Sequence, residues 1–380
     1  MNIKSLLLGS AAAMVAASAA QAADAVVYEP EPVEYVRVCD AYGAGFFYVP
    51  GTETCLAISG YVRMQVGGET WKDAGDTASY LANASGAADD TTDGYSIRTR
   101  GRVNFDARSD TEWGTLRSFV RIQGTWGTNG DGNVSFDQAF IELGGLRMGY
   151  SESAWAQTQN GGASNWGVSV SDTGMYYGYQ QRHLIAYTFA GNGFAATISL
   201  EHDSDTLNAA GTALVSSADA NDWIPDVVGK VSYNAGWGAV WAKAAYDSDA
   251  SIVAGRQGEW AASLGMQYNI PNMNGSSLRL VGFYASDPNA YSVGSEWSVG
   301  AAYNHVFSNT FSASLGFQYL NDIDFDGNGL YDGGPDAWAT ELSMVWTPVQ
   351  NFEVRSELAY QRADTLDGTF SGYVRFTRYF

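Results

Sequence analysis

Three arginines spaced by two, Arg98, Arg100 and Arg102, are the densest chemical feature of this sequence. Guanidinium groups repeated at that interval on an extended chain project into one compartment, where they can hold carboxylates, order water or draw anions. Like charge so stacked needs water or counter-charge around it. Arg117 and Arg121, on the next apparent strand, can stand beside them, and Arg63 and Arg147 extend the same basic wall. The acids that could answer this wall are Glu142, within a strand, and Glu152 and Asp172, in or beside the long segment that follows. Opposed charges across a narrow low-dielectric gap create a transverse field that orders water and favours small polar solutes over apolar ones.

Other reactive groupings are sparse. Asp322, Asp324, Asp326, Asn328 and Asp332 follow the spacing D-x-D-x-D-G, the first half of a Ca²⁺ loop. Position twelve is Gly333 where that motif needs a bidentate Glu, so a weakly bound Ca²⁺ is one reading and a solvated acidic loop the other. No other cofactor is expected. Gly191-Asn192-Gly193-Phe194-Ala195-Ala196 fits G-x-G-x-x-A, but a strand follows where a dinucleotide site needs a helix. No G-x-S-x-G occurs, and His183, His202 and His305 lack metal-ligand spacing. The expectation is that the chain is not an enzyme; a hydrolase built on His183 or His202 is the weakest alternative.

The elements that must position the arginines are strands. Ile97, Thr99, Gly101, Val103, Phe105 and Ala107 alternate with Ser96, the arginines, Asn104 and Asp106, giving one apolar and one wet face. Leu56 to Val66 alternates likewise. By the same rule about sixteen strands follow, from 56–66, 95–108, 112–124, 134–143 and 146–150 through to 352–361 and 370–380. Short links at 109–111, 144–145, 190–193, 235–237, 271–275 and 347–351 interleave with long polar stretches at 67–94, 151–181, 202–226, 247–257, 321–336 and 362–368. Transmembrane barrels keep that order, with turns at one rim and loops at the other; a soluble sandwich has no reason to. Tyr150, Tyr187, Phe189, Phe194, Tyr246 and Tyr360 suit interfacial girdles, while Trp155, Trp166, Tyr176, Tyr177 and Tyr179 would brace the third long segment against the wall.

Composition agrees. Glycine fills 44 of 380 positions and aromatics 14%, which disfavours helix. With 20 Lys+Arg against 41 Asp+Glu the net charge is −21, so no basic footprint for nucleic acid exists. Residues 1–22, with Lys4, an apolar run to Ala20 and Ala20-Gln21-Ala22, read as a secretory signal peptide, too short in its apolar part to span a bilayer. Residues 23–54 read as a periplasmic segment and residues 55–380 as the barrel; Cys39 in the first and Cys55 at the start of the second, in an exported chain, are most simply one disulfide.

The run Val36-Arg37-Val38-Cys39-Asp40-Ala41-Tyr42-Gly43-Ala44-Gly45-Phe46-Phe47-Tyr48-Val49-Pro50-Gly51, continuing through Cys55-Leu56 to Ser59-Gly60-Tyr61-Val62-Arg63, resembles the N-terminal signature of the alphaproteobacterial (rhizobial and brucella-type) general porins. Leu143-Gly144-Gly145-Leu146-Arg147, Pro225-Asp226-Val227-Val228-Gly229 and the ending Val374-Arg375-Phe376 are similar too, and the terminal Phe380 resembles that of outer-membrane proteins generally. The resemblance implies a homotrimeric porin of the bacterial outer membrane, each all-β, sixteen-stranded antiparallel transmembrane barrel narrowed by a constriction loop folded into its lumen. Lipopolysaccharide, ions and small hydrophilic solutes would be its partners. The expected function is a passive, water-filled diffusion channel; a barrel serving mainly as surface anchor or adhesin is the rival.

Overall fold

The computed structural model describes residues 37–70, 94–127, 132, 134–156, 176–202, 205–207, 214–216, 223–248, 258–273, 275–324, 329–364 and 368–380. The chain divides into two units: Met1–Val38, of which Arg37 and Val38 alone are described, and Cys39–Phe380, which carries every element below.

In the second unit a single 3-10 turn, Asp40–Tyr42, precedes the short strand β1 (Phe46–Tyr48). Next come β2 (Cys55–Thr70), β3 (Gly94–Thr111), β4 (Gly114–Trp126), β5 (Val134–Leu143), β6 (Leu146–Glu152), β7 (Gln181–Gly191) and β8 (Phe194–Glu201). A three-residue pair, β9 (Asp205–Leu207) and β10 (Leu214–Ser216), separates these from β11 (Asp226–Ala235), β12 (Gly238–Asp247), β13 (Glu259–Asn269) and β14 (Ser277–Ala285). The chain ends with β15 (Trp297–Ser308), β16 (Phe311–Asn321), β17 (Ala337–Val349), β18 (Phe352–Ala363) and β19 (Thr369–Tyr379). Sequential neighbours pair antiparallel, β8 pairs with β11, and β19 returns to β2, so sixteen strands close into a barrel that leaves no edge.

Closure depends on one close approach. Phe380 and Gly60 exchange backbone hydrogen bonds at 3.0 and 3.1 Å. A Cβ on Gly60 would stand 2.1 Å from the Arg102 carbonyl oxygen and 2.9 Å from the Phe380 ring, so only glycine admits the last residue at this seam. Arg378 reaches the Asn351 carbonyl, in the turn between β17 and β18, at 3.4 Å, placing it among the short links.

The alternation has its expected physical cause. Along β7, Arg182, Leu184 and Ala186 are buried while Ile185, Tyr187 and Phe189 are exposed on the outer face, 55%, 54% and 61% respectively. Ile97, Leu264, Leu280, Val299 and Leu358 are likewise exposed apolar residues, as a surface facing lipid requires. Phe194 and Tyr246 join them, Tyr150 packs on His183, and Tyr360 touches Trp338 and Phe370, so the six girdle aromatics all sit outward.

Short and long links alternate as read, with local differences. β3 runs on through Thr111, so the turn expected at 109–111 is Glu112-Trp113 instead, closed by Thr111 Oγ1 donating to the Gly114 carbonyl at 2.6 Å. Residues 127–133 and 286–296 add two long links and Asn309-Thr310 one short turn. Asn192 and Gly193, at φ 53° and 82°, make the tight turn that a two-residue hairpin needs.

Below the start of β2, the Cys39–Cys55 disulfide closes a covalent loop with Cα atoms 5.9 Å apart, buried with Phe46. β1 pairs with the first residues of β2, and Tyr42 Oη donates to Asp110 Oδ1 at 2.7 Å. Closing a loop of this size contributes about 3 kcal/mol in the chain-entropy account.

Candidate functional site

Period two puts Arg98, Arg100, Arg102, Asp106 and Arg108 of β3 inside the barrel, behind Ile97 and Phe105 on the lipid face. Register then decides which groups meet. Arg63 stands directly across from Arg100, and Arg108 directly across from Arg117, pairings that repel unless something intervenes. Asp106 intervenes at the second. It accepts from Arg108 Nε and Nη2 at 3.0 and 2.7 Å and from Arg117 Nε and Nη2 at 2.9 Å each, a fork shared between two guanidinium groups. Glu142 accepts from Arg117 Nη1 at 2.9 Å and from Arg147 Nε at 2.7 Å, so the acid predicted for the wall is on it.

A bulge supplies another acid. Between Arg121 and Ile122 of β4 the pairing with β5 slips, so that Gln138 and Phe136 oppose successive residues and Asp137 is extra. Phe136 faces outward, and Asp137 turns in beside Gln138, accepting from Gln123 at 2.7 Å and lying 3.4 Å from both Arg102 and Arg121. Neutral partners complete the wall: Arg98 donates to Gln65 at 3.1 Å, Arg100 to Thr125 at 2.7 Å and Arg102 to Gln123 at 2.6 Å. Arg63 and Arg102 also lie over the Tyr61 ring, at 5.4 and 5.1 Å.

The segment between β6 and β7 is tied, at both of its described ends, to strands further round the barrel. Glu201 accepts from the Ala154 N–H at 2.9 Å, and Lys243 Nζ donates to the Trp155 carbonyl at 2.6 Å. Gln318 of β16, eight strands around the sheet from β6, accepts from Tyr176 N–H at 2.6 Å and donates to its carbonyl at 2.9 Å. Trp155 is buried against Phe283 and Tyr291, with ring centres 6.5 and 6.0 Å away. Tyr291 comes from the link 286–296; its hydroxyl donates to Asp226 at 2.9 Å and lies 3.3 Å from Glu201. Burial and these two carboxylates hold the phenol well above its usual range. Gln180 donates to the Ala290 carbonyl at 2.9 Å, so link 286–296 braces the segment from above.

A closed barrel with a polar, charge-lined interior and an apolar, aromatic-banded exterior is a membrane channel's anatomy. A family described as the Porin subfamily matches residues 24–375. The chain belongs to this family. It is 37% identical over 417 residues to a protein named Porin Omp2b from Brucella suis, with all of both chains covered. Among solved structures, the outer-membrane channel DcaP of Acinetobacter baumannii superposes with a TM-score of 0.68 at 13% identity, covering 88% of this chain and 99% of that one. A mutant of Rh. blastica porin gives 0.51 at 14% identity over 85% and 99%. The porin is therefore an outer-membrane, passive diffusion channel for ions and small hydrophilic solutes, and neither an adhesin nor an enzyme class is indicated by its relatives.

The remaining expectations divide. Glu152 of the porin accepts from Gln138 at 3.3 Å and so joins the arginine wall, while Asp172 and Trp166 lie outside the described residues. Of the acidic loop, Asp326 and Asn328 lie outside them too. Asp322 accepts the Gly333 and Gly334 N–H groups at 2.9 and 2.7 Å, and Asp324 that of Gly329 at 3.0 Å, so these carboxylates shape the loop's backbone. Among the described residues no group of three or more His, Cys, Asp and Glu could hold a metal. His183 and His202 lie ring to ring, 6.3 Å apart, and His183 shares the lipid-facing parity of Ile185. Asp106 and Asp137 are the wall acids that sequence reasoning missed. Asp106 shares the arginines' parity and was open to discovery; Asp137 breaks parity, because a bulge is invisible to a strict period of two.

Proposed function

We propose that this porin selects solutes by a lumen whose arginine wall, Arg63, Arg98, Arg100, Arg102, Arg117, Arg121 and Arg147 with Glu142 and Glu152, faces a loop folded inward from residues 153–180. The observation that carries this reading is the reach of Trp155 and Tyr176, at the two ends of that segment, to Lys243 and Gln318, four and eight strands round the barrel from β6. A segment pinned there narrows the aqueous path, and the wall's fixed dipoles orient what passes. Export after removal of residues 1–22, assembly as a homotrimer among lipopolysaccharide, and work without cofactor or catalysis complete the proposal; 37% identity to a whole Brucella porin supports it. Loop ion binding is no part of transport here: any Ca²⁺ at 322–332 would be weak.

Planar-bilayer recording tests the reading directly. Purified, heat-modifiable protein should give stable stepwise conductance in KCl, and Trp155→Ala, which removes the buried anchor, should raise swelling rates of liposomes in larger sugars severalfold. A folded trimer without conductance would refute the channel, and an unchanged solute cut-off in W155A would refute the inserted loop.

A further inference from the structure

Away from the arginine wall, a second set of cations lines β11 to β14. Lys230 and Lys243 stand directly across from each other in register, and Arg279 follows two strands on. All three are more than nine-tenths buried. Among the described residues neither Lys243 nor Arg279 forms an ion pair: Lys243 donates to the Trp155 carbonyl, and Arg279 Nη2 donates to Gln267 at 2.7 Å. The acids on these strands, Asp226, Asp247 and Glu259, lie four positions along from Lys230, Lys243 and Ser263, roughly 13 Å at strand rise. They are already engaged, Asp226 by Ser248 and Tyr291, Asp247 by the Ala290 N–H and Glu259 by Ser286.

Unanswered donors gather at the same place. Arg279 Nε and the Ser263 hydroxyl, which stands across from Lys243, are buried without a hydrogen-bond partner. Each such group costs free energy until something accepts from it. Trp241 completes the floor. A Cβ on Gly265 would lie 2.3 Å from its indole, so the missing side chain lets the ring lie flat on the wall, and the Arg279 guanidinium sits 5.6 Å above the ring centre. The guanidinium is thus held in one place before any ligand arrives, which lowers the ordering cost of binding.

We propose that Lys230, Lys243, Ser263 and Arg279 form an anion subsite on the lumen wall, which takes the carboxylate or phosphate group of a small solute on its way through the channel. An oxyanion is the complement to two ammonium groups, a free guanidinium N–H and a hydroxyl donor, and it supplies the counter-charge that Lys243 and Arg279 lack among the described residues. The proposal rests on the channel reading above.

The test uses the reconstituted full-length porin, with KCl current recorded while potassium phosphate or potassium succinate is titrated in. Saturable block or slowing of the current by either anion is expected; block by phosphate alone assigns a phosphate site and by succinate alone a carboxylate site. In Lys243→Gln with Arg279→Gln the half-blocking concentration should rise roughly tenfold, since charge-assisted hydrogen bonds are lost. Glutamine at 243 can still donate to the Trp155 carbonyl, and Arg279→Lys, which keeps the charge, should retain most of the block. Stepwise KCl conductance with no saturable block, or with block unchanged in the double variant, overturns the subsite and leaves the channel intact. A folded, heat-modifiable trimer with no KCl conductance overturns both.

Discussion

The barrel sets like charges directly across from each other at Arg108 and Arg117 and again at Lys230 and Lys243, and it treats the two pairs in opposite ways. Between the arginines stands Asp106, accepting from both, with Glu142 behind it. At the lysines, Lys243 is met by the carbonyl of Trp155 and, among the described residues, by no carboxylate. The same repulsive register is therefore neutralised by a shared carboxylate on one wall, whereas on the other Lys243 meets a loop dipole and, on our proposal, passing anions. A wall that carries its own counter-charge gains rigidity and a fixed field, because bidentate arginines surrender little further freedom. A wall that lacks it retains affinity for whatever anion enters. Two electrostatic roles, orienting and holding, thus fall on different strands of one sheet.

The largest effect should follow from making the first wall resemble the second. Asp106→Asn leaves Arg108 and Arg117 facing each other without their shared carboxylate, in a site where Asp106 is only 14% exposed. The barrel should lose about 1–3 kcal/mol, short of the ~3–5 kcal/mol for breaking a fully buried pair because water reaches the guanidinium groups. The temperature at which the heat-modifiable form disappears reports it. Adding Arg108→Gln to Asp106→Asn removes one of the repelling charges and should recover much of the loss; if the double variant is no better than D106N, the carboxylate's role is not to separate the two arginines.

A smaller effect, on selectivity and not stability, is expected from thinning the ladder. Replacing Arg98, Arg100 and Arg102 together by Gln leaves Asp137 facing fewer cations and shifts the lumen potential negative. Reversal potentials across a KCl gradient should move toward K⁺, with the permeability ratio changed severalfold. An unmoved reversal potential would mean that the ion path runs along the lysine wall alone.

The two walls differed in how far the sequence disclosed them. Period-two alternation located nearly all strands, and the arginine ladder was legible because its spacing equals the strand repeat. Register was not. Whether Arg108 meets Arg117 or a neighbour two positions away depends on where β3 turns, and β3 continues through Thr111, beyond the place where polarity alone ends it. Asp137 owes its position to a bulge that alternation cannot reveal. Lys230 and Lys243 appeared as scattered basic strand residues, since their meeting depends on the register of β11 on β12 and Lys243 gains the Trp155 carbonyl only when the segment after β6 docks on it. Long-range docking of a loop has no local signature, and for the same reason Tyr291, carried on a link that looks like ordinary connection, was silent in the sequence.

The smallest effect concerns the link between β16 and β17, where an acid holds the backbone together. Asp336, just ahead of β17, accepts from the Tyr319 hydroxyl, from Asn321 at 2.8 Å and from the Asp322 N–H at 3.1 Å. The Tyr319 hydroxyl, chiefly, with the Asp322 N–H and Asn321 behind it, holds the carboxyl below the ordinary carboxylate range against a small opposing cost of burial. A depressed folded value stabilises the tie fully above the ordinary Asp value near 3.9 and loses it as pH falls through the depressed one. The link between β16 and β17 should then stay tied at neutral and mildly acidic pH and loosen only below about pH 4. Hydrogen-exchange protection of the Asp322 and Ile323 amides, normalised for intrinsic rates, reads the loosening, and Asp336→Asn should make it flat with pH. Protection that persists in the wild-type porin well below pH 3, or that titrates equally in D336N, would place the tie elsewhere, in the Ile323 N–H bond to the Pro335 carbonyl at 3.0 Å. Lying in a link and only half-buried, this carboxylate should alter loop opening while leaving the barrel's own unfolding unmoved, the opposite of what Asp106 does inside.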